Sequence, residues 1–186
     1  MREDPFMYNI MDYGARGDGA ANDAPAIQKA VDECSQAGGG VVLFPGGRVY
    51  RSGSVVLKSN VEIHLEPGAV WKAWDTIEEY YPLRNNGRIT VHESGLPSFL
   101  NSEYAGRPFN AFIYALEEEN ITISGQGTID GNESIFYGDN SGYHIEGTYY
   151  PRVPLLLLEA VNHLTIRDVR LVNCAFWTVH LVGCND

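Results

Sequence analysis

The chain has 186 residues, with 13 basic and 24 acidic side chains and a formal charge of −11. A hydrophobic share of 44% beside 20% charged residues excludes wholesale disorder, and the length predicts one domain. An acidic pI near 4.8 argues against a nucleic-acid partner, and no apolar run approaches the roughly 20 residues of a membrane helix, so no membrane partner is expected.

Met1–Tyr8 carries charges and Pro5 but no apolar leader stretch, so no signal peptide is visible. Cys34, Cys174 and Cys184 cannot all pair within one chain and are expected as buried free thiols. Reduced thiols and no leader slightly favour a cytoplasmic location over a secreted one.

The first element is a helix at about residues 23–36. Asp23 is expected at its N-cap, accepting free N–H groups, with Pro25 in the first turn. Ile27, Ala30, Val31 and Cys34 make one apolar stripe, and Gly38-Gly39-Gly40 stops the helix.

Short strands follow. Val41–Phe44 and Val55–Leu57 come first, and then Val61, Ile63 and Leu65 alternate. Phe112–Tyr114 precedes Ile121, Ile123 and Ile129; Leu155–Leu158 precedes Leu164, Ile166, Val169 and Leu171; Val179 and Leu181 come last. The stretch at about 81–108, with Pro82, Asn85-Asn86-Gly87, Pro97 and Pro108, breaks this rhythm and reads as an insertion.

An Asn recurs between the strands, at Asn60, Asn120, Asn162 and Asn185, and the last step is 23 residues. A recurring step of that size, filled with short strands, predicts a stacked solenoid, a parallel β-helix in which each coil is buried by its neighbours. Asn suits the bends because it tolerates left-handed backbone and bonds along a stack. The helix would cap the first coil. An antiparallel sandwich is the competing fold, but it would show short hairpin turns and no recurring Asn.

Several segments carry a family likeness. Asp12-Tyr13-Gly14-Ala15-Arg16-Gly17-Asp18-Gly19, then Asn22-Asp23, the helix and Gly38–Pro45 resemble the opening of pectin-lyase-like β-helix proteins, an opening that phage tailspikes share. Gly53–Ala69, Glu119–Gly131 and Phe176-Trp177-Thr178-Val179-His180-Leu181 resemble glycoside hydrolase family 28, the polygalacturonases, in that family's order. The resemblance implies a right-handed parallel β-helix and hydrolysis of galacturonic-acid-containing pectic saccharides with inversion. An acid would protonate the leaving oxygen while a carboxylate activates water on the other face of the sugar. It implies no cofactor and no metal.

The family draws its catalytic groups from Asn-Thr-Asp, Asp-Asp, Gly-His-Gly and Arg-x-Lys, and none of these occurs in the sequence. Residues 1–186 are therefore expected to be a single domain of N-terminal coils without the catalytic ones, inactive alone, with the C-terminal end covered by further coils or a partner chain. No catalytic residue is assigned. A non-catalytic carbohydrate-binding or tailspike-like module is the alternative.

Three residues are candidates for substrate contact. His180 alternates with Val179 and Leu181, so it points outward if they point inward, and Trp177 stands beside it. Arg152, before Val153-Pro154, resembles an Arg-Pro element of the family and could face an anionic sugar or pair with a surface acid. Asp130, Asp12 and Asp18 read as bend-capping acids, His64 as an outward strand residue, and Glu117–Glu119 as a solvated turn.

Overall fold

The structure is a computed structural model that describes residues 6–76, 79–82, 110–136 and 153–186. Three parallel sheets run its length. The first is built from β1 (Met7–Asn9), β3 (Gly40–Phe44), β6 (Val61–Leu65), β11 (Glu119–Gly125) and β14 (Asn162–Ile166), in that order. The second holds β2 (Asp18–Asn22), β4 (Val49–Ser52), β7 (Val70–Ala73), β12 (Thr128–Asp130) and β15 (Arg170–Val172). The third holds β5 (Val55–Val56), β10 (Ile113–Leu116), β13 (Leu156–Glu159) and β16 (Val179–Val182). The chain visits the sheets in turn, one strand per coil, and the fold is a right-handed parallel β-helix. Every ladder within the three sheets is parallel, which removes the sandwich alternative.

The coils close on a stack of inward side chains. Val42, Ile63, Ile123 and Ile166 lie in register across the first sheet, and Tyr50, Trp71, Ile129 and Leu171 across the second. Phe44 and Trp71 sit 4.9 Å apart, and Trp71 and Phe112 5.3 Å, joining the sheets at the centre. The buried Trp71 indole donates to Ser52 Oγ at 2.6 Å, so its one polar atom is satisfied.

The helix α1 (Ala24–Gln36) covers the N-terminal end, and Ile27, Ala30, Val31 and Cys34 are fully buried as the stripe predicts. Asp23 is the N-cap residue but makes no side-chain cap bond. Its buried carboxylate turns back and accepts from Arg16 N (2.7 Å) and Gly17 N (3.2 Å), holding the preceding loop against the helix. Asn22 Oδ1 takes over the helix end, accepting from Ala24 N at 3.0 Å.

The Asn stack exists but is split between two columns. Asn120 donates to Asn60 at 2.8 Å, and both have positive φ. Asn185 donates to Asn162 at 3.1 Å, but register places Asn162 beside Glu119, one residue earlier. The residue in left-handed backbone on that coil is His163, with φ 55°.

The antiparallel pair β8 (Tyr81–Pro82) and β9 (Asn110–Ala111) brackets the insertion expected at about 81–108. Residues 83–109, nearly the whole of it, lie outside the described residues.

The end away from the helix presents β14, β15 and β16 as edge strands. Val179 is 40% exposed and Leu181 48%, and Ile166 is half-buried. Leu157 is fully buried and belongs to the other face of its sheet. Four leucines in a row carry no alternation, so facing could not be read from them.

Candidate functional site

The third sheet has two packed faces. Ile113, Leu156 and Val179 lie in register inward, as do Ala115, Leu158 and Leu181. The outward row is Val56, Tyr114, Leu157 and His180, in register across β5, β10, β13 and β16. Tyr114 and Leu157 are buried in a second apolar cluster on this outer face, and His180 ends the row half-buried on the edge strand. The parity expected for His180 therefore holds.

The segment before β16 is stitched to the coil below. Leu155 N donates to Trp177 O at 3.0 Å and Leu156 N to Thr178 O at 3.1 Å. Cys174 Sγ donates to Phe176 O at 3.3 Å, and burial raises its thiol pKa above the ordinary value. This backbone holds three rings together. Phe176 stacks on Trp177 with centroids 4.2 Å apart and planes at 29°. Trp177 meets His180 at 4.0 Å and 76°. Phe176 therefore covers one face of Trp177, and the indole and the imidazole meet edge to face.

Sequence reasoning missed Glu159. It is 3% exposed and lies two residues beyond Leu157 on the same outward face, in register between Leu116 and Val182. As the end of Leu-Leu-Leu-Leu-Glu-Ala it reads as the start of a turn. Continuing the alternation from Leu157 would have placed it outward. Arg152 lies outside the described residues.

The other candidate groups serve the scaffold. Asp130 Oδ1 accepts from Asn132 N (2.9 Å) and Asn173 Nδ2 (3.0 Å), capping a bend and tying two coils. Asp18 Oδ1 accepts from Ala20 N and Ala21 N, bonds that hold its carboxyl below the ordinary pKa, and Arg16 pairs with the same carboxylate. Glu118 accepts from Ser59 N and Oγ and pairs with Lys58, so part of the expected solvated turn is bonded in place. His64 Nδ1 lies 2.8 Å from Ser124 Oγ, which donates to Glu62 Oε1. This is not a nucleophile with its relay: Ser124 is fully buried, and the acid and the imidazole meet at the same hydroxyl. Among the described residues no group of three His, Cys, Asp or Glu is placed to hold a metal, and no helix is long and apolar enough to cross a membrane.

A cleft of about 440 Å³ opens between α1 and β5, lined by Gln28, Asp32 and Lys58 over Ala24, Pro25 and Val56. It lies at the opposite edge of the third sheet from β16. Its Gln28 amide and Lys58 ammonium already have partners.

The outer-face array of Trp177 and His180 suits a saccharide. An indole offers an apolar flat to sugar C–H groups, and an imidazole bonds a hydroxyl or carboxylate. Hydrolysis needs two carboxylates placed on either side of the bond.

Residues 7–81 match the family model described as rhamnogalacturonase A/epimerase, pectate lyase-like. The exo-poly-alpha-D-galacturonosidase of Dickeya chrysanthemi is 34% identical over 129 residues, covering 69% of this chain and 20% of that protein. A probable polygalacturonase of Vitis vinifera is 27% identical over 180 residues, 94% of this chain and 34% of its own length. The chain thus spans about a third or less of these curated relatives. The fold matches that of a hyperthermoactive exopolygalacturonase from Thermotoga maritima with TM-score 0.74 and 22% identity, over 98% of this chain and 46% of that one. Motifs, coil topology and relatives agree: the chain has the pectin-lyase-like β-helix fold and is similar to the polygalacturonases of glycoside hydrolase family 28 over part of their length.

Proposed function

We propose that this chain supplies N-terminal coils of a polygalacturonase-type glycoside hydrolase. The enzyme hydrolyses glycosidic bonds of galacturonic-acid-containing saccharides by an inverting two-carboxylate mechanism. Trp177, His180 and Arg152 contact the saccharide, and the carboxylates come from coils stacked beyond β16. One observation carries the reading. The Trp177–His180 array stands on an edge strand with exposed Val179 and Leu181, so a further strand would lie about 4.8 Å away, beside the imidazole. The relatives' activity on galacturonans supports the substrate class.

The test has two arms. Pure 186-residue chain is incubated with polygalacturonate and released reducing ends are counted; none are expected. The same assay is run on a polypeptide extended by the downstream coding sequence, which should encode Asn-Thr-Asp and then Asp-Asp and should be active. Activity of the short chain that one Asp→Asn change within it abolishes would overturn the proposal. An extension that lacks those motifs and binds without cleaving would favour a non-catalytic carbohydrate-binding module, the reading suggested by the absence of the motifs from this sequence.

A further inference from the structure

We draw no further inference here: the strongest candidate, the cleft between α1 and β5, carries nothing, because its Gln28, Asp32 and Lys58 side chains are bonded to one another, to Val56 and to Glu118, and nothing in the structure shows what fills it.

Discussion

The side-chain amide of Gln28 pairs with both backbone groups of Val56. Nε2 donates to Val56 O at 2.8 Å, and Oε1 accepts from Val56 N at 2.8 Å. A helix residue thereby takes the place of a strand along the free edge of β5. Open sheet edges invite pairing with other chains, and the capping helix closes this one with hydrogen bonds as well as with apolar cover.

The first prediction follows directly. Gln28→Ala should destabilise the chain by about 1–3 kcal/mol, because a part-buried donor and acceptor lose their partners together. Gln28→Glu should recover only part of the loss, since a carboxylate accepts from Val56 N but repels Val56 O. Urea unfolding of the three proteins checks this. Equal stability of all three would show that the amide bridge contributes nothing.

A second prediction concerns the bend between the third sheet and the first. Glu117, Ala160 and Gly183 follow paired residues of β10, β13 and β16, and all have positive φ, 54°, 51° and 62°. Left-handed backbone costs an L-residue about 1–2 kcal/mol, while Gly loses about 0.4–1 kcal/mol through the unfolded chain. Ala160→Gly should therefore stabilise by about 1 kcal/mol. Gly125→Ala should do the reverse by about 3 kcal/mol or more. Gly125 has φ 108°, and an added Cβ would meet the Leu65 carbonyl oxygen at 2.0 Å. Thermal melts of the two variants should move in opposite directions.

The bends also mark how far the sequence could be read. The helix was legible because Asp23, Pro25 and the Ile27–Cys34 stripe agree, and the strands around Ile63 and Ile123 because polar residues alternate with apolar ones. The Asn at Asn162 signalled a bend but not its register, since His163 takes the left-handed position that Asn120 takes one coil earlier. Left-handed backbone favours Asn without requiring it, so a column can change residue type while keeping its conformation. In the candidate site, His180 was legible through Val179 and Leu181. Glu159 was not, because the outer face of β13 is buried like its inner face and an acid at the end of an apolar run looks like the way out to solvent.

The third prediction concerns pH. Burial pushes the Cys34 thiol up from 9.0 to about 11 and the Tyr50 phenol up from 10.0 to about 12. Both groups are held neutral in the fold, so their contribution is fully present below the unfolded pKa values and is lost as pH rises through the folded ones. Stability should be level on this account up to about pH 9 and then fall through pH 11–12, by roughly 3 kcal/mol for Cys34 alone. Native chain at pH 8 should resist alkylation at Cys34 and react there once unfolded, which mass spectrometry of the labelled peptide reads. Prompt native labelling of Cys34 would contradict the burial.

The last prediction uses two leucines in one column. Leu158 and Leu181 are register partners on β13 and β16, pointing inward from the same sheet. Leu158 is fully buried and Leu181 is 48% exposed, so they differ chiefly in what lies above them. Leu158→Ala should cost about 2–5 kcal/mol, the range for a buried leucine leaving a cavity. Leu181→Ala should cost under about 1 kcal/mol in this chain, because the removed atoms already face water on one side and solvent fills the space. In a polypeptide extended by a further coil, Leu181 becomes an interior position, and the same substitution should then approach the cost at Leu158. The difference between the two backgrounds measures the stacking of a coil on β16 without any assay of activity. A cost at Leu181 equal to that at Leu158 in the present chain would mean that β16 is already covered in solution by a second copy. Sedimentation of the unsubstituted protein across a concentration series would then show the dimer.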